Sequence, residues 1–276
     1  MKTWALASFT LRETIRSRTM IIGLIISFLY LAIVPVLSSS SGGSAVVGDM
    51  EMRTAAGRDF LSFSLGGLNF IGMSMAIFTT LGAIYTEVDK GTILSLVTKP
   101  IHRWQIIFGK WIGHAILMGG YVLTMGLILW ITVSLGSGTI IWHFVPAIGL
   151  VALNVITMVS LTLFFSTFLP VIANAIFVFL LFIFTSNLRV LNAIGQTSDN
   201  IVVVGIANTF RMLLPVSEVS DLANLVLMGQ TRAAELAGTE TATFAPRNWS
   251  FGYEVIYITG AIFLATLVFR RRDLTS

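Results

Sequence analysis

Between Lys110 and Arg189 the chain runs for 78 residues without an Asp, Glu, Lys or Arg. A water-soluble domain does not leave so long a stretch uncharged, because about a quarter of its residues are normally charged. The stretch therefore belongs in a bilayer. A hydrocarbon core about 30 Å thick takes about 20 helical residues to cross. The run thus holds three crossings joined by tight turns, with Pro146 and Pro170 at the places where turns fit.

The remaining composition extends this reading to the whole chain. Of 276 residues, 11% are charged and 55% hydrophobic, with a mean hydropathy of +0.89, which describes an all-α polytopic membrane protein without room for a separate soluble catalytic domain. Uncharged apolar segments place six spans near Thr19 to Ser38, Gly66 to Thr86, Trp111 to Leu135, His143 to Thr167, Val171 to Leu188 and Phe251 to Phe269. The first apolar run, Thr19 to Leu37, is longer than the ~7 to 15 residues of a signal-peptide core. It reads as a retained span even though the small residues Ser38 to Ala45 resemble a cleavage site. There is no cysteine, so neither a disulfide nor a thiolate metal site is available.

Charge sets the orientation. Lys2, Arg12, Arg16, Arg18, Lys90, Lys99, Arg103, Lys110, Arg270, Arg271 and Arg272 fall on one side of a six-span layout, and only Arg53, Arg58, Arg189, Arg211, Arg232 and Arg247 on the other. Cytoplasmic loops carry the excess of Lys and Arg, so both termini are expected in the cytoplasm of a bacterial-type inner membrane. Residues 1–18 then form an interfacial helix, 19–188 carry spans one to five, 189–250 make an extracytoplasmic segment, and 251–276 hold the last span and a cytoplasmic tail. Asn200 to Pro215 is semi-apolar but too short for a confident span. Helices lying along the outer interface are expected there, and a seventh crossing is the alternative.

Ahead of the first span, Trp4, Ala7, Leu11 and Ile15 recur at spacings of three and four, while Arg12, Glu13 and Arg16 point elsewhere. A cationic amphipathic helix with a Trp suits the headgroup region of membrane lipid. A simple cytosolic extension of span one is the plainer reading of the same residues.

The only substantial inner loop, residues 87–110, reads as two short helices. Gly91 and Thr92 open a turn in which Ile93, Leu94, Leu96 and Val97 are apolar, and Lys99-Pro100 closes it. Past the proline, Trp104, Ile107, Phe108 and Trp111 repeat at helical spacing. An apolar knob rimmed by Glu87, Asp89, Lys90, Lys99 and Arg103 has the makeup of a docking contact with a soluble partner, apolar area giving contact and charge giving register. It equally fits a loop packed against its own bundle, and spacing does not separate the two.

These residues carry a resemblance. Glu-x-x-x-Gly-Thr-Ile-Leu-x-Leu from Glu87, Lys-Pro-Ile-x-Arg from Lys99 to Arg103, and Ile-x-Gly-Lys from Ile107 to Lys110 resemble the segment after the second span of ABC-2 type permeases. The six-span layout, the Arg-Glu-x-x-Arg-Ser-Arg pattern from Arg12 to Arg18, and the segment before the last span are similar to that family as well. The resemblance implies that Glu87, Gly91, Thr92, Ile93, Leu94, Leu96, Val97, Lys99 and Arg103 form a coupling helix that seats in a groove of an ATP-binding subunit. It further implies a permease half that pairs with a second copy and with two separate ATPase subunits. ATP and Mg would be held there, because the only Gly-Lys pair here, Gly109-Lys110, is followed by Trp111 and has Trp104 where the first glycine of a phosphate-binding loop belongs.

Catalysis inside the spans would need an ionisable pair or an activated nucleophile. Spans three to five offer only His114 and His143, at opposite ends, and no His-Glu-x-x-His or Gly-x-Ser-x-Gly occurs. The chain is expected not to be an enzyme by itself and to bind no metal, cofactor or nucleic acid. Glu254, near the outer end of the last span, reads as an interface carboxylate facing water, with an outer-mouth residue as the alternative. Asn69, Asn154, Thr157 and Asn174 are expected to make interhelical hydrogen bonds, and Gly109 and Gly113 form one Gly-x-x-x-Gly. A pathway between uncharged bundles suits export of an apolar or amphipathic cargo. The rivals are a mechanical role coupling ATPase motion to an extracytoplasmic partner at 189–250, and an ATP-independent secondary carrier.

Overall fold

The computed structural model describes residues 2–42, 50–89, 102–137, 140–198, 200–228 and 249–271. The described residues are almost entirely helical, as a bilayer demands of any spanning backbone that is not a closed barrel. In chain order the helices are α1 (Lys2–Ile15), α2 (Arg18–Gly42), α3 (Met50–Thr80), α4 (Tyr85–Asp89), α5 (Arg103–Ser137), α6 (Phe144–Ser166), α7 (Val171–Ser186), α8 (Leu188–Thr197), α9 (Ile201–Leu213), α10 (Val216–Met228) and α11 (Ser250–Arg271). Four continuous helical stretches, Phe60–Asp89, Arg103–Leu135, Phe144–Ser166 and Ser250–Arg271, are long and apolar enough to cross a bilayer. Three bent pairs reach that standard only when joined: α1 with α2 (62°), α7 with α8 (53°) and α9 with α10 (86°). Each apolar segment that the sequence marks as a span coincides with one of these helices, and Met50 to Leu65 is helical too, forming the first part of α3.

The middle of the bundle is α6, apolar around its whole circumference and therefore buried around it. Val151, Val155, Met158 and Val159 on α6 meet Leu65, Met73 and Ile77 of α3 and Met118, Val122 and Leu129 of α5 in one continuous core. Hydroxyls within the spans are neutralised locally. Ser27, Thr79, Ser160, Thr162 and Thr185 each donate to the carbonyl four residues back in their own helix, which satisfies the hydroxyl proton within the helix.

The expected interhelical role of the four polar span residues is borne out. Asn69 Nδ2 donates to Ser220 Oγ (3.1 Å), Thr157 Oγ1 donates to Glu254 Oε1 (2.7 Å), and Asn174 Nδ2 reaches the carbonyls of Leu81 (3.0 Å) and Thr162 (3.2 Å). Asn154 also binds Ser220.

Two expectations are corrected. The segment after α7 does not merely lie along the interface, because α10 turns 86° from α9 and enters among α3, α6 and α11. Its Ser220 meets Asn154, which stands about 15 Å along α6 at 1.5 Å per residue. The physical reason is a polar stripe at helical spacing, in which Ser220 and Asn224 find partners on α3 and α6 and Asp221 pairs with Arg211 of α9 instead of water. Glu254 likewise does not face water. It is 0% exposed, because α6 and α10 close over it.

Candidate functional site

The root of the loop that carries the family-like motif is described on both sides. Gly91, Thr92, Ile93, Leu94, Leu96, Val97 and Lys99 lie outside the described residues. α3 ends where Leu81 to Ile84 make a turn, and Thr86 Oγ1 closes it by donating to Gly82 O (2.5 Å). The carbonyl freed in that turn, Ala83 O, accepts from Lys110 Nζ (2.5 Å), and the same ammonium pairs with Glu87 Oε1 at 2.7 Å. Lys110 is only 5% exposed. The residue that the sequence places at a membrane boundary is therefore a buried bolt between the two strands of chain that enter and leave the loop.

Arg103 fastens the same root to the last span. As the first residue of α5 it donates from Nη1 to the carbonyls of Phe269 (3.4 Å) and Arg270 (3.3 Å). A guanidinium on the final carbonyls of a helix satisfies acceptors that lack an intrahelical partner and meets the negative end of the helix dipole. Beneath these polar ties Ile84, Ile107, Leu163, Ala265 and Phe269 form a small apolar core of their own. Trp111 Nε1 adds a bond to Ser160 Oγ on α6 (2.8 Å). The loop thus springs from a base in which α3, α4, α5, α6 and α11 are locked together.

The N-terminal helix sits on the same base. α1 packs along α5, and the Gly-x-x-x-Gly of the sequence is the reason it fits. A Cβ on Gly109 would stand 2.8 Å from Leu6 Cβ and 3.1 Å from Thr3 O, and one on Gly113 would stand 2.9 Å from Ala7 O and Thr10 Cβ. The partner of that motif, unreadable from spacing, is therefore α1. The buried stripe of α1 is Ala7, Thr10 and Thr14, so Ala7 leaves the lipid-facing group expected of it. Trp4 and Ile15 stay exposed with Leu11 half-buried beside them, and Arg12, Glu13 and Arg16 are exposed on another side.

A second polar group lies toward the opposite end of the bundle. The Asn154 amide, oriented from its hydrogen-bond network, donates to Glu254 Oε1 (2.9 Å) and Val216 O (3.2 Å) and accepts from Ser220 Oγ (2.9 Å) and Ser220 N (3.2 Å). Arg211 of α9, almost fully buried, lies between Glu218 (Nε to Oε1, 3.5 Å) and Asp221 (Nη2 to Oδ2, 3.7 Å), and Ser250 Oγ donates to Glu218 Oε2 (2.9 Å). Sequence reading missed this cluster. The signal was present in the i, i+3, i+4, i+7 spacing of Ser217, Ser220, Asp221 and Asn224.

His114 is buried with Nδ1 2.9 Å from Lys110 O, and His143 caps the far end of the bundle at the start of α6, so the two histidines do not meet. Among the described residues no three His, Asp or Glu side chains gather as metal ligands. What the geometry can do is mechanical: it ties the two ends of the loop, Glu87 and Arg103, to α3, α5 and α11.

No curated relative matches the chain. The family described as ABC-2 family transporter protein matches residues 4–274, nearly the whole chain and including every helix above from α2 to α11. That match and the motif around the tied loop agree, and the chain belongs to the ABC-2 transporter family, as a multi-pass membrane component of an ABC transporter that is not itself catalytic.

Proposed function

We propose that the chain is the permease half of an ATP-driven exporter, energised by two separate ATP-binding subunits that hold ATP and Mg and dock on the segment from Glu87 to Arg103. The observation that carries the reading is the doubly fastened loop root, with Lys110 on Glu87 and Ala83 and Arg103 on the end of α11. A push on a floppy loop dissipates locally. A push on a loop bolted to α3, α5 and α11 must tilt those spans, which is the requirement for converting nucleotide-driven closure into an outward opening. In this reading α1 lies in the cytoplasmic headgroup region, and Arg12, Arg16, Arg270 and Arg271 hold both termini inside.

Six crossings are α2, α3, α5, α6, α7 and α11. The bend between α9 and α10 then counts as a dip from the outer face, since α9 at 13 residues spans only about 20 Å, short of the ~30 Å core. A homodimer would supply the second half of the pathway, and the apolar interior suits an apolar or amphipathic cargo.

The test replaces Ile93, Leu94 and Val97 together with Asp. The expected result is loss of the ATP-binding subunits on co-purification and loss of stimulated nucleotide turnover. If both persist at wild-type level, the loop is not the coupling element.

A further inference from the structure

We infer that Glu254 is a proton-binding site: its carboxyl carries a proton while α10 lies against α6 and α11, and yields it to entering water when α10 parts from them. Ionisable side chains inside a membrane-spanning bundle are expensive and mark function by default. Neither the loop nor its bolted base uses this one.

The hydrogen-bond pattern is that of an acid. Glu254 is 0% exposed. Thr157 Oγ1 donates to its Oε1 at 2.7 Å and the Asn154 amide donates to the same oxygen at 2.9 Å, while Oε2 has no hydrogen-bond partner among the described residues. A carboxylate has two equivalent oxygens, and buried it needs donors or a cation at both. A carboxylic acid has one carbonyl oxygen that accepts and one O–H. Both donors on a single oxygen therefore mark Oε1 as the carbonyl and leave Oε2 for the proton. An unpaired buried O–H also costs far less than a bare buried charge.

No neighbouring cation offsets a charge there. α6 carries no ionisable side chain along its length. α10 brings Glu218 and Asp221, and α9 brings Arg211, which is turned to those two carboxylates. On α5, Arg103 and Lys110 are held at the loop root, His114 lies on Lys110 O, and Tyr121 bonds to Ser27. On α11 itself Tyr253 donates to Met212 O, Tyr257 is a neutral phenol, and Arg270 stands about 24 Å away along the helix. Glu218 and Asp221 add only like charge, which opposes ionisation further.

The proton is coupled to α10 through one side chain. The amide of Asn154 reaches Glu254 Oε1, Val216 O, Ser220 Oγ and Ser220 N at once. An ionised Glu254 has to be hydrated, and water reaches it only where α10 leaves α6. In that step the Oε2–H bond breaks, its electron pair stays on the carboxylate, and the proton passes to the entering water. Proton loss and separation of α10 are thus linked in both directions.

The site is read on the purified full chain in phosphatidylcholine nanodiscs, with no ATP-binding subunit, so its failure is separate from failure of the permease reading. The infrared difference between wild type and Glu254→Gln at neutral pH is expected to show one carbonyl stretch of a protonated carboxylic acid. Thr157→Val, which removes a donor from that carbonyl, is expected to move the band to higher frequency, and it keeps Glu254 in place should Glu254→Gln fold poorly.

The second readout is labelling of Ala223→Cys, a 0% exposed position on α10, by N-ethylmaleimide. A hydrated carboxyl sheds its proton above about pH 4.3 and the closed corner retains it, so the closed form is favoured at low pH and loses ground as pH rises. The labelling rate relative to the same thiol in a Glu254→Gln background, which cancels the ionisation of the thiol itself, is expected to rise about tenfold from neutral to alkaline pH. The inference is overturned if the acid band is absent, if the labelling ratio is flat with pH, or if the band vanishes when sodium replaces potassium, which would give the site to a metal cation.

Discussion

Lys110 illustrates how much one side chain holds in this protein. Its ammonium carries a bond to Ala83 O and an ion pair with Glu87, whose side chain is only a fifth exposed. Removing one partner of a largely buried pair leaves the other charge without compensation, a loss about 3 to 5 kcal/mol when burial is complete. With Glu87 partly wetted, Lys110→Met is expected to cost about 2 kcal/mol. The double variant with Glu87→Gln should cost clearly less than the sum of the singles, read as thermal unfolding of the purified chain; strict additivity would mean that the pair is not coupled. Glu254 makes a second case. Glu254→Leu strips an acceptor from Thr157 Oγ1 and from the Asn154 amide, which no water can replace at that depth. A loss of about 1 to 3 kcal/mol follows, while Glu254→Gln, which keeps an acceptor oxygen, is expected to lose less than half of that. Equal losses for the two would show that the hydrogen bonds at Glu254 carry none of the effect.

At the scale of elements, α1 is held by close backbone approach instead of large side chains. Gly109 and Gly113 let Thr3, Leu6, Ala7 and Thr10 of α1 settle on α5. Such small-residue contacts work because two helices gain dispersion energy along their length only if nothing protrudes between them. Gly113→Leu places its side chain where Ala7 O and Thr10 already stand. It is expected to release α1, so that trypsin cuts at Arg12 and Arg16 several-fold faster in nanodiscs, whereas Gly120→Ala, whose added carbon meets nothing within 4 Å, should leave the cleavage rate unchanged. A protected α1 in Gly113→Leu would show that some other contact docks it. The same element carries the exposed Arg12 and adjoins the bolt at Lys110, so α1, α5 and the loop root should move as one piece.

For the whole molecule the open quantity is parity, because the bent pair α9 and α10 decides whether the C-terminus shares a side with the N-terminus. The chain has no cysteine, so each introduced thiol is unique. With six crossings, Ser8→Cys and Ser276→Cys are expected to react with a membrane-impermeant maleimide only after the cytoplasmic face is opened. Ile140→Cys, at an exposed position between α5 and α6, should react from the outside. Reaction of Ser276→Cys from the outside would establish a seventh crossing and withdraw the reading of α10 as a dip.

The family and the helical class were legible in the residues, and each marked apolar segment falls on a helix, because crossing hydrocarbon demands about 20 uncharged residues wherever it occurs and the loop from Glu87 to Lys110 keeps a recognisable order of Gly, Thr, Ile, Leu, Lys and Pro. Three things were not. The residues alone showed Gly109 and Gly113 without their partner, Lys110 as an edge marker, and Glu254 as a group for water, with the Ser217 to Asn224 stripe unread. Hydropathy averages a helix over its whole circumference. A polar stripe that finds its hydrogen bonds on α3 and α6 has the same average as one that finds them in solvent. Amino-acid order thus determined which segments leave water, while only the packing of distant helices decided where the remaining polar groups are satisfied, since those partners are separated by 66 to 162 residues of chain.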